Sequence, residues 1–310
     1  GPAGLSAAYE LAKKGYPVTI FEAYSQPGGM LRTCIPTYRL PREILDADVN
    51  RLEQMGIEIK TNTKIGKDKT LDSLFKQGYK AVFIATGAHK TRKLHVEGED
   101  YEDVHDALHF LNETNCGKRM KLGKVAVVGG GNTAIDAARI AVQEGAKEVT
   151  ILYRRSRDEM PANPMEIKEA EEEGVKFQFL VAPKKILGKD GHATGVECVR
   201  MELGEPDETS RRRPVPIANS EFTIDLDTII LAIGESPDLA FLPEDVETIE
   251  ESTIAVDLMT METNKKGVFA GGDCTSGPAT VVEAIVAGKK AAESIHKYLK
   301  TSKKKETKNK

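Results

Sequence analysis

Three features of the 310-residue chain predict an α/β fold of two parallel-sheet modules, the second inserted into the first. Short apolar runs of strand type alternate with segments of helical periodicity. Glycine-rich turns open helices at Gly1-Pro2-Ala3-Gly4 and at Gly129-Gly130-Gly131-Asn132-Thr133-Ala134. A late strand ends in Gly271-Gly272-Asp273, which suits completion of the first module by the C-terminal part of the chain. Both turns have the outline of a dinucleotide-binding fingerprint, so each module is expected to be Rossmann-like. The expected boundaries are 1–121 and 238–300 for the first module and 122–237 for the second, with a disordered basic tail at 301–310.

In chain order, Leu5 to Lys14 has helical spacing, Gly15 stops it, and Val18 to Phe21 reads as a strand ending at Glu22. That is the second half of a βαβ unit. The strand that should precede Gly1 belongs at the centre of such a sheet, so the sequence is expected to be part of a longer chain. Ile44 to Met55 reads as a helix, Ile57 to Ile59 as a strand, and Ala81 to Ala85 as a buried strand closing on Thr86-Gly87. Lys90 to Lys121 mixes loop and helix as a crossover. The second module opens with strand Lys124 to Val128 and helix Ile135 to Glu144, and adds strands Val149 to Tyr153, Val175 to Phe179 and Thr228 to Ala232. Between the last two lies a meander, Ala193 to Met201 and Glu221 to Leu226, with a polar insert at 204–213. Strand Gly267 to Ala270 and a small-residue helix Val281 to Tyr298 close the folded part.

Composition excludes several classes. A net charge of −4 and pI near 6.0 provide no basic footprint for nucleic acid. No apolar run has the roughly 18 residues needed to span a bilayer. Cys34, Cys116, Cys198 and Cys274 are too scattered for a redox pair, a zinc site or an iron–sulfur motif, and suit a reducing, cytoplasmic setting. None of the six histidines falls in a glycine motif.

The chemistry is carried by the glycines and by the residue after each second strand. In the second module Gly129 permits the tight turn, Gly131 lets a pyrophosphate approach the backbone, and the small Ala134 allows close helix packing. The helix N-terminus then meets the phosphate charge. Arg154 stands about 25 positions beyond Gly129, where a carboxylate would grip a free ribose hydroxyl and a guanidinium suits an added phosphate. With Arg155 beside it, Arg154 favours NADPH over NADH. In the first module Gly1 and Gly4 supply the second and third glycines, and Glu22 ends the strand as the ribose-binding carboxylate. Asp273 is placed to reach a flavin's ribityl chain, and Thr86-Gly87 and Gly234 end strands that border the two crevices.

On these motifs, together with PGGMLRTCIPTYRLP, LYRRSRDEMPA and GVFAGGDCTSGPATVVEAIVAGKKAA, the chain resembles the glutamate synthase small-subunit group of two-dinucleotide-binding-domain flavoproteins. The resemblance extends from residue 1 to about 298. It implies FAD on the first module, with contacts from Gly1, Gly4, Glu22, Gly29, Met30, Leu31, Arg39, Thr86, Gly87, Gly272, Asp273, Thr280 and Val281. It implies NADPH on the second, with contacts from Gly129, Gly131, Asn132, Thr133, Ala134, Arg154, Arg155 and Gly234. It departs from the group in showing neither the N-terminal cysteine-rich segment nor the first FAD strand.

Hydride transfer between two cofactors asks the protein for positioning and electrostatics, not for a catalytic acid or base. With no cysteine pair to receive electrons, they are expected to leave through iron–sulfur centres upstream or on a partner subunit of a hetero-oligomer. Two alternatives are a flavin-bifurcating or ferredoxin:NADP oxidoreductase subunit, and a non-catalytic scaffold of a larger redox complex.

Overall fold

A computed structural model describes residues 1–207, 210–250 and 252–308, with 302–308 as backbone. It divides into one unit of Gly1–Arg32, Thr37–Lys90 and Glu235–Lys310 and a second of Thr33–Pro36 and Thr91–Gly234. The first segment carries helix α1 (Pro2–Lys13), strand β1 (Thr19–Phe21), helix α2 (Arg42–Gln54) and strands β2 (Glu58–Lys60) and β3 (Val82–Ile84). The second unit follows with β4 (Val104–Asp106), α3 (Ala107–Asn115), β5 (Lys124–Val128), α4 (Asn132–Gln143), β6 (Glu148–Tyr153), α5 (Pro164–Glu172) and β7 (Lys176–Phe179). It continues with β8 (Val181–Lys189), β9 (His192–Pro206), β10 (Arg212–Pro216), β11 (Phe222–Asp225) and β12 (Thr228–Leu231). The chain then returns to the first unit with β13 (Val268–Ala270), α6 (Asp273–Ser276) and α7 (Val281–Lys308).

In the second unit the sheet runs β4-β12-β5-β6-β7, every neighbour parallel. Val128 lies opposite both Leu152 and Leu231, so the three central strands finish level, immediately before Gly129, Tyr153 and Ala232. Val125 to Val128, Val149 to Tyr153 and all of β12 are buried, as continuous apolar runs must be when both faces of a parallel sheet are covered. Helix α4 buries Ala134, Ile135, Ala137, Ala138 and Ala141. An antiparallel group of β8, β9, β10 and β11 flanks this sheet, with β8 and β11 both paired to β9.

The first unit contains two parallel ribbons and a short antiparallel one, Thr248–Ile249 against Thr253–Ile254. β1 pairs with β2, Thr19 opposite Glu58, and β3 pairs with β13, Val82 opposite Val268. Among the described residues no hydrogen-bonded strand joins them, and β1 is only half-buried along its length. Around β3 and β13 pack Leu71, Val246, Ile254 and Cys274, and on the helical side Ala7, Leu11, Phe269, Ala292 and Ile295 form a second cluster. Helices α1 and α7 cross at Gly288, where a Cβ would lie 2.2 Å from the Ala3 carbonyl oxygen.

Three sequence expectations shift. Residues 91–121 pack with the second unit and not, as expected, with the first, because β4 adds to the sheet edge beside β12 and α3 lies with α4. The polar insert at 204–213 is largely a hairpin: β9 runs on to Pro206 and pairs with β10, Met201 opposite Pro216 and Pro206 opposite Arg212. Its Glu208 and Thr209 lie outside the described residues. Helix α7 continues through the stretch expected to be a disordered tail as far as Lys308, consistent with the helix propensity of its lysines and glutamate; 309 and 310 are not described.

Candidate functional site: two glycine cradles

In the first unit, Gly1 caps α1 with Pro2 at the first helical position, and no side chain or acidic residue occupies the helix's free N–H groups. Those donors are what an anion needs. Gly29 has φ +54°, and a Cβ there would lie 2.7 Å from the Gly1 Cα, so the Gly28-Gly29 turn closes against the first glycine motif. A Cβ on Gly4 would lie 3.5 Å from the Ala85 side chain, an ordinary contact between α1 and the residue after β3. On the other side of α1, a Cβ on Gly272, itself at φ +79°, would meet the Ala3 side chain at 3.0 Å. The Gly271 N–H donates to the Ile84 carbonyl at 3.0 Å, and the Cys274 thiol contacts the Ile84 and Gly271 carbonyls at 3.4 Å. Four stretches separated in sequence, at Gly1 to Gly4, Gly28-Gly29, Ala85 to Gly87 and Gly271 to Asp273, are thereby drawn together.

Around this cradle, Glu22 follows β1, and its carboxylate accepts the Tyr24 N–H at 3.0 Å. Met30 and Leu31 start a one-turn helix after Gly29 and are half-buried. Arg39 occupies an exposed turn, and Thr86 is exposed beside Gly87 at φ +71°. Asp273 is half-buried at the start of α6. Burial pushes its carboxyl up to about 6; the Ala279 N–H offsets part of this, and the nearby Glu235 and Glu283 carboxylates add to it. A carboxylate so poorly solvated lacks hydroxyl donors of the kind a ribityl chain carries. Thr280 and Glu283 form a reciprocal cap at the start of α7, Thr280 Oγ1 donating to Glu283 at 2.7 Å and accepting its N–H at 3.2 Å, with Val281 next to it.

The second cradle assigns its three glycines different tasks. A Cβ on Gly129, at φ +145°, would lie 2.2 Å from the Ala232 carbonyl oxygen, and one on Gly130 would lie 2.4 Å from the Tyr153 ring. Both are packing constraints. Gly131 faces open space, with nothing within 4 Å of its Cβ position, and it caps α4 with no side chain on the helix's free N–H groups. Thr133 is half-buried in the first turn and Ala134 fully buried against the sheet. Gly234 follows β12 at φ +119° and abuts the Arg92 side chain. Asn132 is engaged locally: its amide oxygen accepts the Asn163 N–H at 2.9 Å while the Ala162 N–H donates to Gly130 at 3.2 Å, drawing the loop after β6 over the glycine turn.

The arginines after β6 diverge. Successive residues leaving a strand point to opposite sides, and Arg154 is exposed while Arg155 is buried. Arg155 pairs with Asp207 at 2.6 Å and donates to the Arg212 carbonyl at 2.7 Å, so the structure does not bring its guanidinium to the place expected beside Arg154. Arg157 is bidentate on Glu171 at 2.5 and 2.8 Å. Arg154 has no carboxylate pair among the described residues; partial burial and the Arg155 and Arg211 charges push it below the usual arginine range. Arg211 and Asp207 escaped the sequence reading because the insert looked like a polar loop. Their signal was the run of arginines one hairpin away from another such run.

Among the described residues no group of His, Cys, Asp and Glu is arranged to hold a metal, and no helix is long and apolar enough to cross a membrane. Each unit thus presents a glycine turn and an uncapped helix at the carboxyl ends of parallel strands, the arrangement of an α/β oxidoreductase with two dinucleotide-binding modules. The chain belongs to the pyridine nucleotide-disulphide oxidoreductase family, whose profile matches residues 1–288. It is 50% identical over 304 residues to the beta subunit of the NADP(+)-dependent formate dehydrogenase of Moorella thermoacetica, covering 97% of this chain and 43% of that one. It is 45% identical to the beta subunit of the NADPH-Fe(3+) oxidoreductase of Geobacter sulfurreducens, covering 98% and 49%. It is 40% identical to the small chain of the NADPH glutamate synthase of Azospirillum brasilense, covering 97% and 65%. The chain therefore spans about half the length of the first two. Among solved structures, FprA of Mycobacterium tuberculosis in complex with NADPH shares the fold at a TM-score of 0.82 and 18% identity, covering 98% of this chain and 84% of that one.

Proposed function

We propose that this chain is the flavoprotein module of an NADPH-dependent oxidoreductase, with FAD on the first unit and NADPH on the second. The observation that carries this reading is the opposite chemistry at matching positions of the two cradles: a carboxylate, Glu22, follows β1, and an exposed guanidinium, Arg154, follows β6. The carboxylate suits a ribose with free hydroxyls and the guanidinium a phosphorylated one. The names of the three relatives support the same assignment: each carries NADP(+) or NADPH, while formate, ferric iron and glutamate synthesis vary. Electrons accordingly enter from NADPH, and the acceptor is a separate protein subunit or an iron–sulfur domain of a hetero-oligomeric, cytoplasmic enzyme.

FAD, when bound, supplies a group that takes a hydride from the nicotinamide and passes the electrons onward. The chain's own residues bind and orient. The free N–H groups of α1 and α4 receive pyrophosphate charge, Gly1, Gly29 and Gly131 allow the backbone to be approached, and Asp273 accepts hydrogen bonds from hydroxyls. Reconstitution with FAD followed by anaerobic NADPH titration tests the reading. Bleaching of the flavin band by NADPH at far lower concentration than by NADH is expected; a bound flavin that NADPH leaves oxidised would overturn it. Arg154→Gln should remove the preference for NADPH and leave FAD content unchanged.

A further inference from the structure

We propose that the loop between β6 and α5, residues 154–163, is a preformed wall of the site for the adenosine half of the nicotinamide cofactor, and that Asn132 and Tyr153 are positioning residues that hold it there. The proposal rests on the reading that the second unit binds that cofactor. In a module of this kind the pyrophosphate lies at the helix after the first strand and the ribose at the end of the second. The loop joins the same two places. It leaves β6 at Arg154 and returns to the glycine turn at Ala162 and Asn163, where the Ala162 N–H donates to the Gly130 carbonyl at 3.2 Å and the Asn163 N–H to Asn132 Oδ1 at 2.9 Å. An adenosine that spans the ribose and pyrophosphate positions runs alongside it.

The loop is fixed along its length. The Tyr153 hydroxyl donates to the Glu159 carbonyl at 2.8 Å, and the Tyr153 ring fills the side of Gly130 where a Cβ would lie 2.4 Å away. Ser156 caps the single turn Arg157–Glu159: its N–H donates to Glu159 Oε2 at 3.2 Å and its hydroxyl to the same oxygen. Met160 and Ala162 are buried on either side of the exposed Pro161. Asn163 ends the loop as the cap of α5, its Oδ1 accepting the Met165 N–H at 3.0 Å. Gly131, one residue beyond the carbonyl that the loop grips, faces open space. The loop therefore closes the Gly130 side of the turn and leaves the Gly131 side to the ligand. A wall held in this way is ordered before a nucleotide arrives, so binding does not carry the entropy cost of ordering it. Asn132 acts through the loop with one side-chain acceptor, and Tyr153 with one donor.

The test is calorimetric binding of 5′-AMP and of adenosine 2′,5′-bisphosphate to the whole chain, with hydrogen exchange of the 154–163 amides and thermal melts alongside. Asn132→Ala and Tyr153→Phe should each weaken both nucleotides about fivefold, the worth of one hydrogen bond, and leave the ratio of the two affinities within about twofold. Amides of the loop should exchange faster in each variant and slow again when 5′-AMP is added, a response that a role confined to stability would not give. Tyr153→Phe keeps the ring against Gly130, so it carries the test if Asn132→Ala does not fold. The proposal is overturned if both variants bind both nucleotides as wild type does, or if Asn132→Ala alone weakens them with loop exchange unchanged, which would make Asn132 a direct contact. In either case Arg154→Gln should still lose the preference for the bisphosphate, and the cofactor reading survives. A wild type that binds neither nucleotide removes both.

Discussion

Replacing Asp273 by asparagine should make the flavin-free protein more stable and the holoprotein poorer in FAD. The carboxyl ordinarily titrates near 3.8 and is held at about 6 in the folded chain, chiefly by burial. The folded state therefore holds this proton more tightly than the unfolded state does. Stability is gained as pH falls from about 6 towards 3.8, and is lost in full once pH rises above 6. At about 1.36 kcal/mol per pH unit the difference corresponds to about 3 kcal/mol as an upper bound. Solvent reaching the half-buried group reduces this to about 1–2 kcal/mol. Urea unfolding of flavin-free wild type and Asp273→Asn at pH 7.5 and at pH 4 measures it: the variant should be more stable by that amount at pH 7.5, and the two should converge at pH 4. An equal difference at both pH values would show that charge burial is not the cause. FAD retention after gel filtration should move the opposite way, since the amide offers hydroxyl groups a weaker acceptor. That opposition between stability and ligand binding is the mark of a site residue.

Gly131→Ala adds a methyl group in open space and should leave the melting temperature within about 1 °C while weakening adenosine 2′,5′-bisphosphate about tenfold; Gly130→Ala, forced onto the Tyr153 ring, should cost about 1–3 kcal/mol of stability. Wild-type bisphosphate affinity in Gly131→Ala would remove the pyrophosphate role from that glycine. A thiol titration at pH 8 should find one fast cysteine, Cys116, because Cys34, Cys198 and Cys274 are buried and burial pushes the Cys198 and Cys274 thiols up to about 12 and about 11. Two fast thiols in the native protein would contradict this packing. Gly288→Ala should destabilise the first unit by about 1–3 kcal/mol through its clash with the Ala3 carbonyl, read as a lower denaturation midpoint; an unchanged midpoint would mean the helices separate freely.

The second cradle was legible because β5, its glycines and α4 each carry a local signal: a continuous apolar strand, turn residues that only packing or approach explains, and a helix rich in small apolar residues. The convergence of Gly1, Gly29, Ala85 and Gly272 was legible only as a set of separate strand ends. No single spacing announces it, and long-range packing around Ala3 brings it about. Residues 91–121 were placed in the wrong unit because β4 has just three residues, too short for any periodicity, and its membership is decided by pairing with β12. The hairpin was hidden by the polar character of 204–213 and by Pro214 and Pro216, which argue against a central strand yet are tolerated at a sheet edge, where β10 lies. Arg155 was misdirected by treating adjacent arginines as equivalent, although strand geometry sends neighbours to opposite sides.

The crossing of Ala3 and Gly288 has a consequence for how the protein is made. The first unit cannot complete its helical packing until α7 has left the ribosome, some 285 residues after Ala3 (288 − 3), and at roughly 5–20 residues per second that is a wait of about 14–57 s. The second unit, nearly continuous in sequence, finishes translation well before then and is free to fold while α1 still lacks α7. A released fragment ending at residue 234 should therefore yield a protease-resistant piece lacking the N-terminal helix.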